Sequence, residues 1–322
     1  MTSPMTSIFI DGEAGTTGLQ IRDRLKQRTD VTLVAIDSGR RKDPKARRDL
    51  LNSVDVAILC LPDDAAKEAV NLIGSGSRTR VIDASTAFRV SPDWTYGFAE
   101  LSKAQAKKIA AAGRVSNPGC YPQGLLAVVK PLIDAGIMAA DYPLTYNAVS
   151  GYSGGGKKMI EDYERAGAGA VAYLPYGLTL NHKHLAEMRH YAGLTRDPIF
   201  QPAVGNYAQG MIGAVPVFTD LLAKRVTALD IHRCLAAAYE GSVFIEVAPL
   251  GALERSADVN PRAMNGTNRM RLHVFANDAR GHMLLTSIYD NLGKGASGAA
   301  VQNLNLMIGA EPTLGVDLPV AA

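Results

Sequence analysis

A short strand, a glycine-rich turn and a helix open the chain in that order, and this stretch restricts the fold more than any other. Ser7-Ile8-Phe9-Ile10 is an apolar strand, the turn carries Gly12, Gly15 and Gly18, and a helix-forming segment runs from Leu19 to Leu25. Glycines at such a turn let backbone amides approach a pyrophosphate at a helix N-terminus. A plain tight turn has the same composition, so the turn alone indicates dinucleotide binding only weakly.

Further strands alternate with helical segments and strengthen the interpretation. The apolar runs Val31–Ile36, Asp55–Pro62 and Arg80–Asp83 are typical of buried parallel strands, and Pro62, Asp63 and Asp64 start a helix. We expect a Rossmann-type, doubly wound parallel sheet in residues 1–117. A last helix, Ala299 to Ile308, is predicted to pack back on it, which adds residues 296–322 to this domain.

The pattern changes after about residue 120. Apolar strands such as Leu144–Val149, Gly213–Phe218 and Arg271–Ala276 follow without the regular helical alternation. They predict a second α+β domain over residues 118–295, with a mainly antiparallel sheet.

The residues after the second strand bear on the choice of dinucleotide. Asp37 alone favours NAD, because a carboxylate repels a 2′-phosphate, whereas Ser38 with Arg40, Arg41 and Lys42 favours NADP(H). We expect NADP(H), with a solvated charged loop as the alternative. Pro62, at the end of the third strand, is expected beside the cofactor.

Composition excludes several other classes of function. The chain has 322 residues and 34 basic against 31 acidic side chains, for a net charge of +3, and it has no long basic run beyond 40–42. We therefore expect no nucleic-acid partner. Neither a signal peptide nor a membrane span is predicted. Three widely spaced cysteines indicate a reducing compartment.

Cys120 lies in Ser116-Asn-Pro-Gly-Cys-Tyr-Pro-Gln-Gly124, where a strand turns into a helix. Pro118 and Gly119 make the turn, and Pro122 suits the first helical turn. A helix N-terminus favours a thiolate, so this pattern predicts a reactive cysteine. The alternative is a small buried apolar residue.

Two histidines and a glycine-rich loop stand in the second half. His182 and His184 precede a short helix, and an acid/base role suits them better than metal binding, because no further ligand stands at a suitable spacing. We predict no metal. The loop from Ser150 to Lys158 offers amides, hydroxyls and two cations, so Ser153 and Gly154 are candidate anion contacts, with a mobile linker as the alternative.

A polar loop follows the strand Arg80–Asp83, at the sheet edge where open α/β folds bind ligands. Ser85 and Arg89 in this loop are candidate substrate contacts, although Arg89 could instead pair with a local acid. Nucleotide-binding turn, activated cysteine and histidines together fit reduction of an acyl phosphate through a cysteine thioester.

Five segments of the chain resemble the N-acetyl-gamma-glutamyl-phosphate reductases in their shorter form, a family related to the aspartate-semialdehyde dehydrogenases. The likeness runs through almost the whole chain, and the segment around the cysteine is its most specific part. Gln123 departs from the threonine of many relatives. The matching segments are Asp11–Gly18, Asp83–Arg89, Asn117–Pro122, His182–His184 with Glu187, and Asp290–Gly298.

The resemblance implies an enzyme of arginine biosynthesis that makes N-acetyl-glutamate semialdehyde with NADPH, in the cytoplasm, as a homodimer or homotetramer. Its small-molecule partners are an acyl phosphate and phosphate. It assigns catalysis and oligomerisation to residues 118–295, and it implies Cys120 as nucleophile and His182 and His184 as acid/base candidates. The remaining implied contacts are Thr16, Thr17 and Asn291 for the cofactor and Asn117 and Glu187 for the substrate. A sister enzyme acting on aspartyl phosphate and a non-catalytic NADP-binding regulator stay open as alternatives.

Overall fold

A computed structural model describes residues 5–40, 43–251 and 256–317 of the chain. The chain separates into two compact units. The first is formed within Met1–Ala99, Ala104–Pro118 and Ala296–Leu318, and the second is built around Gly119–Gly295 together with Glu100–Lys103.

The first unit is a six-stranded parallel sheet in the order β2-β1-β3-β4-β6-β5. Helices connect successive strands, as is typical of a parallel sheet, except between β4 and β5, which a loop connects. This is the predicted Rossmann-type sheet. The strands are β1 Thr6–Asp11, β2 Val31–Val34, β3 Val56–Leu59, β4 Arg80–Asp83, β5 Thr95–Tyr96 and β6 Arg114–Ser116, and the helices are α1 Thr16–Leu25, α2 Pro44–Leu51, α3 Asp63–Leu72 and α4 Gln105–Ala111.

Apolar packing on the sheet explains why the alternation is visible in the sequence. Strand β3 is buried along its whole length, and Phe9, Leu59 and Val81 from neighbouring strands join one cluster with Leu51 of α2 and Val70 of α3. Burying side chains of this size contributes about 1.5–3 kcal/mol each.

The second unit is a seven-stranded mixed sheet in the order β11-β12-β13-β10-β7-β9-β8, in which four of the six strand pairs are antiparallel. The strands are β7 Thr145–Gly151, β8 Tyr173–Pro175, β9 Ile199–Gly205, β10 Met211–Phe218, β11 Ile245–Val247, β12 Met270–Asn277 and β13 His282–Tyr289. The helices are α5 Cys120–Asp134, α6 Gly156–Ala166, α7 Leu185–Ala192 and α8 Ala228–Ala238, and α9 Gly298–Ile308 belongs to the first unit.

One predicted loop differs in the structure. The stretch 150–158 is not a loop, because β7 continues to Gly151, Tyr152–Gly155 forms a 3₁₀ helix and α6 begins at Gly156. Glycines conceal this helix start, since three of them stand in a row and glycine has a low helix propensity.

Candidate active site

Cys120 is the first residue of α5, and Gly119 is its N-cap in extended conformation. Pro122 therefore stands at the third helical position rather than the first, where the absence of its N–H still costs no helical hydrogen bond. The first-turn amides and the positive end of the helix dipole stabilise a thiolate at this position.

The other two cysteines are poor nucleophiles. Burial, reinforced by the charges of Asp83 and Asp11, raises the pKa of Cys60 to about 12. Burial also raises the pKa of Cys234. None of the three cysteines forms a disulfide. Since the thiolate is the reactive form, Cys120 is the strongest candidate nucleophile.

A carboxylate joins the cysteine turn to the histidine-bearing segment. The backbone N–H of Gly119 donates to Oε1 of Glu187 at 2.8 Å, and Glu187 is only 2 % exposed. Glu187 lies in the first turn of α7, three residues after the N-cap residue His184. The structure thus gives Glu187 a contact that fixes the turn, and its predicted contact with substrate stays a prediction.

The two histidines pack around the ring of the residue after the cysteine. The ring centroids of His182 and His184 lie 6.3 and 6.0 Å from that of Tyr121, and 4.7 Å from each other. Phe200 closes the group, 5.1 Å from both Tyr121 and His182. The structure therefore places both predicted histidines close to the cysteine segment.

The imidazole of His182 is neutral and its tautomer is fixed by a backbone contact. Burial, with a smaller effect of the Lys183 charge, lowers the pKa of His182 to about 4, so its ring is neutral at pH 7. Its Nδ1 accepts the backbone N–H of His184 at 3.1 Å, which places the proton of the neutral ring on Nε2. Leu180, two residues before His182, has a φ of +57°, an uncommon conformation for a side chain of this size.

Buried tyrosines line the first turn of α5 on the sheet side. The hydroxyl of Tyr289 donates to the carbonyl of Cys120 at 2.7 Å, and the hydroxyl of Tyr146 donates to the carbonyl of Tyr121 at 3.1 Å. A Cβ on Gly124 would lie 2.5–2.7 Å from Ser287 Oγ and from both tyrosine oxygens. Glycine is therefore required at this helix position for the hydroxyls to approach.

The turn after β13 packs against the cysteine. A Cβ on Gly295 would lie 3.0 Å from Cys120 Cβ. The carbonyl of Lys294 accepts the side-chain amide of Gln123 at 2.8 Å, and the Lys294 ammonium forms a 2.6 Å ion pair with Glu100. Lys294 is 1 % exposed and lies over the ring of Phe244. A buried ion pair thus anchors this turn.

Asn291, predicted to contact the cofactor, bonds within the second unit. Its side chain accepts the N–H of Gly210 at 2.8 Å and donates to Ser153 Oγ at 3.0 Å. A Cβ on Gly154 would lie 3.5 Å from the side-chain nitrogen of Asn291. Ser153 is buried, so the predicted anion contact at Ser153 and Gly154 sits next to Asn291.

The two lysines of the predicted anion loop are used on the surface of α6. Lys157 pairs with Glu161 at 3.8 Å and Lys158 pairs with Asp162 at 2.8 Å, one helical turn along in each case. All four side chains are well exposed. Exposed pairs of this kind contribute about 0.3–0.5 kcal/mol, so these lysines belong to a solvated helix face.

The glycine-rich turn of the first unit fits a dinucleotide. Gly12 has a φ of +89°, and a Cβ there would lie 2.3 Å from the Cys60 carbonyl oxygen. Helix α1 begins at Thr16, followed by Thr17 and Gly18, and its N-cap Gly15 provides no side-chain cap. No acidic residue stands in its first turn. An uncapped N-terminus with hydroxyls in the first turn suits a pyrophosphate.

The predicted 2′-phosphate contacts are only partly described. Ser38 begins a short 3₁₀ turn with Arg40, whose guanidinium pairs with Asp43 at 3.0 Å on the surface. Arg41 lies outside the described residues. Pro62 is the N-cap residue of α3, at the carboxyl end of β3.

The three predicted substrate contacts of the first unit, Ser85, Arg89 and Asn117, all form hydrogen bonds within that unit. Arg89 Nε donates to the carbonyl of Asn117 at 3.0 Å, and Ser85 Oγ donates to Asp83 at 2.6 Å. The amide of Asn117 accepts from Asn303 at 3.1 Å. Burial is the main cause that raises the pKa of Asp83 to about 6. All three contacts are buried, and substrate binding by them stays a prediction.

Sequence reasoning missed the tyrosines, the Lys294–Glu100 pair and an arginine. Arg47 of α2 binds the carboxylate of Asp11 at the end of β1, at 2.8 Å. Its only signal is the basic run Lys45–Arg48 after the N-cap Asp43, which resembles a solvated helix face. The tyrosines carry no motif, because their partners are distant in sequence.

Among the described residues, no group of three or more His, Cys, Asp or Glu side chains could hold a metal ion. In the same part of the chain, no helix has the length and apolar character needed to cross a bilayer.

Two family models match the chain in succession. Residues 7–109 match the semialdehyde dehydrogenase NAD-binding domain, and residues 120–291 match the semialdehyde dehydrogenase dimerisation domain.

Curated relatives match over nearly the full length. An N-acetyl-gamma-glutamyl-phosphate reductase of Chelativorans sp. (strain BNC1) is 59 % identical over 94 % of this chain and 97 % of its own length. One of Mesorhizobium japonicum is 57 % identical over 94 % of this chain and 98 % of its own length. One of Burkholderia cenocepacia is 51 % identical over 94 % and 97 % respectively.

Solved structures share the fold at low identity. Aspartate semialdehyde dehydrogenase from Francisella tularensis has a TM-score of 0.71 at 14 % identity and covers 94 % of this chain and 100 % of its own. The enzyme from Candida albicans, solved with NADP, has a TM-score of 0.61 at 15 % identity, over 95 % of this chain and 99 % of its own. These likenesses agree with the predicted Rossmann-type sheet joined to a second α+β domain.

Proposed function

Because the chain belongs to the N-acetyl-gamma-glutamyl-phosphate reductase family, within the semialdehyde dehydrogenases, we propose that it reduces N-acetyl-L-glutamyl 5-phosphate to N-acetyl-L-glutamate 5-semialdehyde with NADPH. The observation that carries this proposal is Cys120 at the N-terminus of α5, in a chain whose other two thiols have raised pKa values. The reaction is a step of arginine biosynthesis, and we place it in the cytoplasm.

The chemistry begins with the Cys120 thiolate. Its sulfur attacks the acyl carbon, a C–S bond forms, and the bond from that carbon to the phosphate oxygen breaks, so that phosphate leaves. A bound NADPH supplies the hydride that reduces the thioester carbon. The tetrahedral carbon then expels the Cys120 thiolate and becomes the aldehyde.

His184 is the proposed acid/base group. After hydride transfer this group donates a proton to the oxygen of the tetrahedral carbon, and it takes the same proton back as the Cys120 thiolate leaves. His182 is poorly suited to accept a proton, because burial lowers its pKa to about 4. Its neutral ring offers Nε2–H as a hydrogen-bond donor and its Nδ1 fixes the His184 backbone.

In this proposal, separate sets of residues bind the cofactor and the leaving phosphate. The turn Gly12–Gly18, with Thr16 and Thr17, would hold the pyrophosphate, and Ser38, Arg40 and Arg41 would hold the 2′-phosphate. Ser153 and Gly154 would contact the leaving phosphate. We also propose a homodimer or homotetramer assembled through the region that matches the dimerisation domain.

The reverse reaction tests the function. Purified protein is mixed with N-acetyl-glutamate semialdehyde, phosphate and NADP⁺ or NAD⁺, and nicotinamide absorbance is followed, with Cys120→Ala as the control. We expect reduction of NADP⁺ that requires both phosphate and Cys120. Turnover of aspartate semialdehyde alone would instead assign the sister activity. Silence with both aldehydes, in folded protein that still binds NADP⁺, would favour a regulator.

A further inference from the structure

We propose that Tyr289 is a positioning residue for the nucleophile: its hydroxyl holds the Cys120 carbonyl and so fixes the first turn of α5 and the thiol that it carries. The inference rests on the proposed role of Cys120. Tyr289 itself contacts neither of the proposed ligands.

The contact is short and comes from a completely buried tyrosine. The Tyr289 hydroxyl oxygen lies 2.7 Å from the Cys120 carbonyl oxygen, and Tyr289 is 0 % exposed at the end of β13. Burial raises the pKa of Tyr289 well above its usual value of about 10, so the phenol keeps its proton and remains a donor. A buried donor without its acceptor is costly, so the hydroxyl keeps the carbonyl in place.

The first turn of a helix needs such an external support. Its N–H groups have no partners within the helix, and terminal residues fray. Cys120 is the first helical residue, and Pro122 contributes no N–H at all. Tyr146 supports the next carbonyl, that of Tyr121, at 3.1 Å. Two successive carbonyls of the first turn are thus held by the sheet.

The hydrogen bond from the Tyr289 hydroxyl to the Cys120 carbonyl also affects the charge distribution at the N-terminus of α5. The Cys120 carbonyl and the Tyr121 N–H belong to one peptide group, and donation to the carbonyl polarises that group. Its N–H then becomes a stronger donor to a negative charge at the helix N-terminus. Tyr289 thereby stabilises the thiolate as well as its position.

Gly124 is adapted to this arrangement. Glycine inside a helix costs about 1 kcal/mol relative to alanine, so its presence in α5 needs a cause. A Cβ there would overlap the oxygens of Tyr289, Tyr146 and Ser287 at 2.5–2.7 Å. The sequence of α5 accepts a poor helix former where the hydroxyls must reach the first-turn carbonyls.

A matched control exists on the same helix. The hydroxyl of Tyr239 donates to the carbonyl of Ala127 at 2.8 Å, about two turns further along α5. Tyr239 is also buried. Tyr289→Phe and Tyr239→Phe therefore remove the same kind of bond from one helix, near the thiol and away from it.

The test is the pH dependence of Cys120 alkylation by iodoacetamide, followed by mass spectrometry of the Cys120 peptide. In the wild-type protein we expect a thiol pKa below 8.5. Tyr289→Phe should raise that pKa and slow alkylation at pH 7 by about three- to tenfold. In the reductase assay it should lower kcat about tenfold or more with little change in KM for NADPH. Tyr239→Phe should leave both readouts unchanged.

Gly124→Ala provides a second perturbation if Tyr289→Phe does not fold. Gly124→Ala should also slow the alkylation of Cys120, because the added Cβ displaces the tyrosine hydroxyls. A Tyr289→Phe profile equal to that of Tyr239→Phe would overturn the inference. If the wild-type thiol already titrates at about 8.5, the proposed role of Cys120 itself fails, which is a different result.

Discussion

Removal of the Glu187 carboxylate should weaken the attachment of the cysteine turn to α7, the helix that follows His182 and His184. Glu187 is 2 % exposed and accepts the Gly119 N–H at 2.8 Å, immediately before the nucleophile. In Glu187→Ala this N–H loses a charged acceptor inside the protein. Glu187→Gln keeps an oxygen of similar position but without the charge.

The magnitude follows from the type of bond. Hydrogen bonds to charged groups contribute about 1.5–3 kcal/mol, and a buried donor left without a partner costs about 1–3 kcal/mol. We therefore expect Glu187→Ala to lower the free energy of unfolding by about 2–3 kcal/mol. Glu187→Gln should lose about 1 kcal/mol, because a neutral acceptor remains. Displacement of Gly119 should also cost Glu187→Ala about a hundredfold in kcat.

Urea unfolding followed by circular dichroism measures the first quantity, and the reductase assay measures the second. Glu161→Gln is the control, since Glu161 forms only an exposed 3.8 Å pair with Lys157. That variant should match the wild type within about 0.5 kcal/mol. If Glu187→Ala were as stable and as active as Glu161→Gln, the carboxylate would not hold the turn.

Three further predictions concern two buried charged groups and the glycine-rich turn. Asp83 has a folded pKa raised to about 6 from 3.8, so its contribution to stability is complete below about pH 3.8 and is lost as the pH rises through about 6. Urea unfolding should show wild type losing up to about 3 kcal/mol relative to Asp83→Asn over that window, and a constant difference would refute it. Lys294→Met should cost about 3–5 kcal/mol, because it removes the buried cation that pairs with Glu100, and Lys294→Met with Glu100→Gln should recover most of the loss in the same assay. Gly12→Ala should abolish NADPH binding measured by nucleotide fluorescence, since φ is +89° and the Cβ would meet the Cys60 carbonyl; wild-type affinity would contradict the role of this turn.

The first unit was largely predictable because its sequence pattern is local. Arg80–Asp83 is predicted and observed with the same bounds, β1 differs from its predicted range by one residue at either end, and β3 starts one residue later and ends three residues earlier than predicted. Continuous apolar strands between glycine turns and helices allow few other architectures. The position of Cys120 at a helix start was likewise visible, because prolines and glycine mark the corner.

The second unit was harder to predict. Strand β8, Tyr173–Pro175, is a short edge strand that contains a proline, which weakens its sequence signal. Helix α6 begins at the last of three successive glycines, so its start has the composition of a loop. Prediction from the sequence therefore found β7, β10 and β12, and it missed β9 and β8, which lie together at one end of the sheet, and the start of α6.

Contacts between distant residues could not be predicted at all. Tyr289 and Cys120 are 169 residues apart, and Lys294 and Glu100 are 194 apart. Neither tyrosine nor a single lysine carries a spacing that indicates its partner. Such pairs arise only when the sheet register brings β13 and the following turn against α5.

Trapping of the acyl-enzyme tests the central claim most directly. Protein is mixed with N-acetyl-glutamyl phosphate without NADPH, quenched in acid and examined by peptide mass spectrometry. The proposed mechanism predicts one N-acetylglutamyl group on the Cys120 peptide, removable by hydroxylamine and absent from the Cys60 and Cys234 peptides. Active enzyme that gives no adduct on Cys120, or an adduct on another residue, would contradict the thioester mechanism.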